Sequence, residues 1–260
     1  MRYTLRYAAG SDVGRRRQVN QDSVHASARL LAVADGIGGQ PHGEVASAEA
    51  IGVLSRLDAD LRGFDLAEVD LAEVLSGGLR TIDERLAATA EQEPETRGMG
   101  TTLTALLFDG RHFTAAHIGD SKGYLLRGGT LQRFTRDHTL AQALADDGRI
   151  APSEVEGHPR GSLLMKALLS TGSGEADIWA FDAAPGDRLL LCSDGLTATV
   201  VETVIKDVLG AFRPPAETVP KLIDLANEGG GPDNITCVVA DVVNAVNAVD
   251  AVDATAPTPA

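Results

Sequence analysis

Four aspartates stand where carboxylates can be gathered: Asp35, Asp120, Asp194 and Asp233. Residues 30–34 are an apolar run leading into Asp35-Gly36, and residues 113–118 lead into Gly119-Asp120. Residues 189–192 lead into Ser193-Asp194-Gly195, and Asp233-Asn234 precedes the apolar run 238–243. One Asp-Gly pair is simply a turn. Four, each tied to a strand-like run, deliver carboxylates to strand ends, and the glycines let the backbone turn sharply and face a carbonyl toward a ligand. Carboxylates gathered in this way repel one another unless a cation sits between them. Hard oxygen donors with no His or Cys among them select Mg²⁺ or Mn²⁺ over Zn²⁺.

The elements that must position these groups follow from the spacing of apolar residues. Besides the four runs above, residues 103–108 form a strand pattern closing at Asp109-Gly110, a hairpin turn, and Arg127-Gly128-Gly129-Thr130 reads as a second. Helical periodicity fills residues 44–57, 66–90 with a break near Gly77-Gly78, 196–209, and 217–227 after Pro214-Pro215. Hairpins with inserted helices, rather than strict alternation, predict an α+β fold with antiparallel sheets in a layered sandwich. Residues from about 139 to 170 are short helical pieces around Gly148, Pro152, Gly157 and Pro159, and read as a mobile flap. Residues 244–260 are Ala/Val/Asp/Thr/Pro low complexity and read as a tail, which leaves 1–243 as one catalytic domain.

Composition narrows the chemistry. The chain has 260 residues, 43 % hydrophobic, with 23 basic against 37 acidic residues and a net charge of −14. Such a surface repels nucleic acid and anionic lipid, so a phosphate-bearing substrate needs a local cation, either a metal or an arginine. The two cysteines, Cys192 and Cys237, lie in apolar runs and read as reduced core residues. There is no apolar signal region at Met1-Arg2-Tyr3-Thr4 and no stretch of membrane-spanning length, so a monomer in the cytoplasm is expected.

Seven motifs in order carry a resemblance. Gly14-Arg15-Arg16-Arg17-Gln18-Val19-Asn20-Gln21-Asp22 resembles the opening motif of the metal-dependent protein phosphatases (PPM, type 2C). Asp35-Gly36-Ile37-Gly38-Gly39 with Gly43-Glu44-Val45-Ala46-Ser47 is similar to the second. Gly100-Thr101-Thr102, Gly119-Asp120-Ser121, Thr135-Arg136-Asp137-His138, Ser193-Asp194-Gly195 and Pro232-Asp233-Asn234 follow in the family's order, from about residue 11 to 243. The bacterial, kinase-partnered branch fits best. The resemblance implies a four-layer α-β-β-α sandwich, two antiparallel sheets flanked by helices, with the site at one end. It implies Asp35 bridging two Mn²⁺ or Mg²⁺ ions, the Gly36 carbonyl on one of them, and Asp194 and Asp233 on the other. Asp120 with Asp194 would hold a third, weaker ion. Arg17 would grip the substrate phosphate and Asp22 would hydrogen-bond a metal-bound water. The implied reaction is in-line attack of a metal-bridged water on phosphoserine or phosphothreonine of protein partners, opposing a bacterial Ser/Thr kinase.

The chain departs from the family pattern at three positions. Gln21 replaces the usual Glu, which removes a negative charge beside the second ion. Lys122 replaces the usual Arg after Gly-Asp-Ser and loses its bidentate fork. Ile37 stands where animal members have a His, so the general acid is unassigned between His42 and His138. Other phosphate chemistries fail on the residues. The sixth residue after Cys192 is Ala198 and after Cys237 Val243, so no Cys-x₅-Arg exists. Leu191 breaks the nucleophile elbow around Ser193, and Pro41 breaks the dinucleotide fingerprint from Gly36. The rival of a different class is a phosphatase-fold binding or regulatory protein weakened in catalysis. Loss of Asp35, Asp194 or Asp233 would mark it, and all three are present. Thr101 and Thr102 are expected to pack a strand, Asp137 and His138 to tie down the flap base, and Arg15 and Arg16 to be solvated.

Overall fold

The computed structural model describes residues 2–37, 42–155, 157–161 and 163–245. The expected Gly38-Gly39 part of the second motif and the tail beyond Ala245 lie outside these residues.

Two five-stranded antiparallel sheets form the centre. The first runs β1 (Tyr3–Asp12), β12 (Ile235–Asn244), β11 (Arg188–Cys192), β7 (Lys122–Arg127) and β8 (Thr130–Arg133). The second runs β10 (Asp177–Asp182), β6 (His112–Ile118), β5 (Leu103–Phe108), β3 (Leu30–Asp35) and β2 (Asp22–Ala26). A short pair, β4 (Gly100–Thr101) and β9 (Leu168–Leu169), joins the base of the flap region to the site end. The helices are α1 (Gly43–Asp60), α2 (Leu71–Gln92), α3 (Leu140–Asp146), α4 (Asp194–Thr197), α5 (Glu202–Gly210) and α6 (Pro215–Glu228).

Three apolar layers hold these elements, and strand alternation sets them. In β3, Leu30, Ala32 and Ala34 face α1 and α2, while Leu31 and Val33 face the other sheet. In β11, Leu189 and Leu191 face the inter-sheet core, while Leu190 and Cys192 pack on α4, α5 and α6. A strand buried on both faces has no polar face to show, which is why these runs read as continuously apolar. Both cysteines are free and buried. The α-β-β-α order and antiparallel sheets match the expected fold. Among the described residues no helix is long and apolar enough to cross a membrane.

Two helix boundaries differ from expectation. The 66–90 helix is a 3-10 turn, Leu66–Glu68, followed by α2, which runs unbroken through Gly77-Gly78. The break falls at Asp70, whose carboxylate caps the N–H groups of Ala72 and Glu73. Gly78 is buried beside Leu54 and Leu57 of α1, and the helix continues through it without a break. The 196–209 helix is two pieces, α4 and α5, separated at residues 198–201. β1 and β2 were not expected: β1 lies at a sheet edge and alternates half-buried with exposed positions, a weak apolar signal.

Candidate active site

One end of the sandwich collects the carboxylates because antiparallel pairing brings strand ends and starts together. Asp35 ends β3 and lies directly opposite Asp22, the first residue of β2. Asp120 sits in the turn between β6 and β7, Asp194 opens α4 after β11, and Asp233 precedes β12. Arg17 lies in the loop that follows β1. Arg17, Gln21, Asp35, Gly36, Ile37, Thr102, Asp120, Leu164, Asp194 and Asp233 line one cavity of about 220 Å³. Six of the seven residues expected from the sequence therefore meet there. The seventh, Asp22, lies behind Asp35: it is buried, its Oδ2 accepts from the Ser193 hydroxyl at 2.8 Å, and its Oδ1 has no partner.

The backbone of Asp35 is pinned by two threonines. The Thr102 N–H and the Thr101 hydroxyl both donate to the Asp35 carbonyl, at 2.8 and 2.9 Å, and the Asp35 N–H donates to the Thr102 hydroxyl at 3.2 Å. Both threonines are buried, Thr101 within β4 as expected; beyond that packing they fix the backbone of Asp35, and Thr102 also lines the cavity. Gly36 is required by space: a Cβ there would lie 2.4 Å from the Gly43 carbonyl oxygen and 2.6 Å from that of Gln21. Asn234 closes the loop carrying Arg17. Its amide donates to the carbonyls of Val13 and Val19, both at 3.0 Å, and its Oδ1 accepts from the Gln21 N–H at 2.9 Å.

Charge is the dominant property of the cavity. Burial raises the Asp35 carboxyl well above its ordinary range, and the negative fields of Asp22, Asp194, Asp120 and Asp233 push it further. Burial, then Asp194, lifts Asp120 to about 7 against the opposing pull of Lys122. Burial lifts Asp22 to about 6 and raises Asp194 as well. Among the described residues lining the cavity the one guanidinium is already engaged: Arg17 Nη2 lies 2.7 Å from Asp233 Oδ2. Gln21 Nε2 donates to Glu44 Oε2 at 2.9 Å, so the amide and the first-turn acid of α1 form one unit.

A divalent cation fits the chemistry of this donor set. The donors are hard oxygens, they repel one another, and Asp22 Oδ1 is a buried acceptor with nothing to accept from. Among the described residues, no three acidic, imidazole or thiol groups converge on one point at coordinating distance. Asp233 is turned to Arg17, so its full use as a donor to an ion requires release of that ion pair.

Of the other sequence candidates, Arg15 and Arg16 are exposed as expected. His42 is left-handed at φ 54° and pairs loosely with Glu44 at 3.4 Å. Lys122 donates to the Asp120 carbonyl at 3.1 Å and faces Asp137 at 3.6 Å, a structural arrangement.

The profile of the family described as protein phosphatase 2C matches residues 9–228. The serine/threonine protein phosphatase PstP of Mycobacterium tuberculosis is 51 % identical over 242 residues, which are 92 % of this chain and 45 % of PstP. This chain thus spans less than half the length of that relative. The serine/threonine phosphatase stp of Listeria welshimeri is 36 % identical over 89 % of this chain and 93 % of its own. The crystal structure of the PstP catalytic domain in complex with two manganese ions superposes with a TM-score of 0.83 at 48 % identity, covering 93 % of this chain and 100 % of that one. With its motifs in order on this sandwich, and a match spanning most of its length, the chain belongs to the protein phosphatase 2C family.

Proposed function

We propose that this chain is a Mn²⁺- or Mg²⁺-dependent protein serine/threonine phosphatase that hydrolyses phosphoserine and phosphothreonine on protein partners and opposes a bacterial Ser/Thr kinase. The observation that carries the reading is the cavity itself: four mutually repelling carboxylates, Asp35, Asp120, Asp194 and Asp233, around about 220 Å³, with one arginine at its edge. The relatives named above are phosphatases, and the manganese complex of one of them supports the choice of ion.

In this reading Asp35 and the Gly36 carbonyl, with Asp194 and Asp233, hold two ions, and Asp120 with Asp194 holds a third. When bound, the ions supply an activated water and offset charge on the phosphoryl oxygens during in-line displacement. The chain's own residues do the rest. Arg17 exchanges Asp233 for phosphate oxygens, which its planar fork can take with two parallel bonds. Asp22 offers Oδ1 to a water beside Asp35, with Oδ2 fixed by Ser193. Thr101 and Thr102 hold the Asp35 backbone in place, and Leu164 covers one wall. The conventional flap, residues about 139–170, contributes that wall and is taken as the part of the domain that meets the substrate protein.

The test is hydrolysis of p-nitrophenyl phosphate and of a phosphothreonine peptide, titrated with Mn²⁺ and Mg²⁺ against an EDTA blank. Metal-dependent turnover quenched by EDTA, and lost in Asp35→Asn and Asp194→Ala, is the expected result. Folded protein with no turnover at millimolar Mn²⁺ would favour the binding-protein reading, and near wild-type turnover in either variant would overturn the site.

A further inference from the structure

His138 is not among the residues lining the cavity, yet it holds Gly119, the residue before Asp120. Its backbone N–H donates to the Gly119 carbonyl at 2.8 Å, and its Nδ1 accepts from the Gly119 N–H at 3.2 Å. Both polar groups of Gly119 are thereby held by one residue. Because Nδ1 is an acceptor, a neutral ring must carry its proton on Nε2, which lies 3.1 Å from Asp177 Oδ2 at the start of β10. Lys166 approaches the other oxygen of Asp177 at 3.6 Å. The ring packs at 5.1 Å from that of His117, and its side chain is only 10 % exposed.

The residue it grips has little freedom of its own. Gly119 has φ +109°, and a Cβ there would lie 2.5 Å from the Thr102 side chain, so only glycine fits and glycine alone does not hold a conformation. Asp120 follows directly and borders two cavities, the one of about 220 Å³ described above and a neighbouring one of about 450 Å³ reaching under the flap. Asp194 is the other residue common to both. On the flap side, the His138 carbonyl accepts from the Met165 N–H at 2.7 Å, and Thr139 bridges to Leu164, which lines the smaller cavity.

We propose that His138 is a positioning residue: by clamping the N–H and carbonyl of Gly119, and by carrying the segment around Leu164 on its own carbonyl, it sets where the Asp120 carboxylate stands and hence how tightly Asp120 and Asp194 hold a divalent cation at the wall between the two cavities. The proposal rests on the metal-dependent reading of the site. The clamp acts through Gly119, so the imidazole itself needs no contact with substrate. A side chain with an acceptor at the Nδ1 position can replace it, and one without cannot.

The experiment uses the whole chain and compares His138→Asn, which keeps an acceptor near the Nδ1 position, with His138→Ala and His138→Phe, which have none. Hydrogen exchange of the Gly119 amide, followed by NMR in EDTA, reads the clamp without any metal. The expected result is about tenfold faster exchange in the Ala and Phe variants, the scale of one lost hydrogen bond, and near wild-type protection in the Asn variant. Calorimetric titration with Mn²⁺ then reads the coupling. The weakest class of sites should lose about tenfold in affinity in the Ala and Phe variants, while the tightest stays within about twofold and the Asn variant recovers most of the loss. Unchanged Gly119 protection in both Ala and Phe variants overturns the clamp. Faster exchange with an unchanged isotherm overturns the coupling, and equal weakening of all sites shows general loosening instead, which also overturns it. If the wild-type chain binds no Mn²⁺, the metal-dependent reading fails and takes the coupling with it, while the exchange data still decide whether His138 holds Gly119.

Discussion

Arg17→Ala should weaken substrate binding and strengthen metal binding, because Arg17 pairs with Asp233 and, in the proposed function, exchanges it for phosphate. Its Nη2 lies 2.7 Å from Asp233 Oδ2, with the two side chains 40 % and 34 % exposed. An ion pair that open to solvent is worth about 0–1 kcal/mol. A hydrogen bond from a guanidinium to an anion is worth about 1.5–3 kcal/mol net. Exchanging Asp233 for a substrate phosphate therefore leaves about 1–2 kcal/mol of binding, and its loss should raise KM by about 5–30-fold with a smaller effect on kcat. The same substitution frees Asp233 for a cation and removes a positive charge beside it. Affinity for Mn²⁺ should rise, by up to about fivefold if the whole ion-pair energy is recovered. Arg17→Lys should fall between, because an ammonium keeps the charge and loses the fork. Steady-state hydrolysis of a phosphothreonine peptide at saturating Mn²⁺ gives KM and kcat, and calorimetry without substrate gives the metal affinity. A KM within twofold of wild type would mean that another residue holds the phosphate. Weaker Mn²⁺ binding would mean that Arg17 orients Asp233 for the ion rather than competing for it.

Gln21→Glu should tighten Mn²⁺ binding several-fold at pH 8, since it adds a carboxylate to the cavity wall, and should lower Tm in EDTA, because the Gln21–Glu44 hydrogen bond of 2.9 Å becomes a contact between like charges; a higher Tm in EDTA would refute the second part. His117, buried between Thr104 and the Arg136 carbonyl, is pushed down to about 3, chiefly by burial and then by His138. Its unfolded value is higher, so the unfolded chain takes up the proton and the associated stability, whole above pH 6.5, is lost as pH falls toward 3; by pH 5 the loss is about 2 kcal/mol. Urea unfolding of His117→Gln against wild type at pH 8 and pH 5 should show that difference, and parallel pH profiles would refute it. Asp241→Leu should cost about 3–5 kcal/mol, because Arg188 is 1 % exposed and its bonds to Asp241 are 2.6 and 2.8 Å. The double variant Arg188→Met/Asp241→Leu should cost less than Asp241→Leu alone, and equal costs would show that Arg188 needs no counter-ion.

What was legible in the sequence is what a short window can hold. The apolar runs ending in Asp-Gly gave both the strands and the carboxylates at their ends, because burial on both faces leaves no polar residue to confuse the pattern, as in β3 and β11. The edge strand β1 lacked that signal. Glycine misled in α2: Gly77-Gly78 reads as a break, but the helix runs through both, with Gly78 buried beside Leu54 and Leu57 of α1, more than 20 residues away in the chain. The cap that does start this helix, Asp70 with Glu73 three positions on, is a local pattern and was readable. The roles of Thr101, Thr102 and Asn234 were not, since each acts by bonding a backbone group brought near only by the fold. Asp22 could be assigned to the site by its motif but not placed behind Asp35, because its position depends on the β2–β3 register.

The phosphate substrate of the proposed function has to be reconciled with a net charge of −14, and this one end of the sandwich is where that would happen. Lys122 and Arg133 are both turned to Asp137; Lys122 eases the charge of Asp120 and Asp194 from outside the smaller cavity, whose lining residues include Arg17 as their one cation. One guanidinium that is itself paired cannot outweigh Asp35, Asp120, Asp194 and Asp233 for a dianion. Cations supplied from solution can, and burial first, then the neighbouring carboxylates, raise the proton affinity of Asp35 and Asp120 in their absence. The same repulsion that makes this end of the fold costly to assemble is what makes it selective: a monovalent ion offsets too little of the charge, and a soft metal finds no soft donor. Substrate recognition then follows metal loading rather than preceding it, so the apparent KM for a phosphopeptide should fall as Mn²⁺ is raised, and a KM independent of Mn²⁺ across the range where kcat changes would argue that the phosphate is held by protein groups alone.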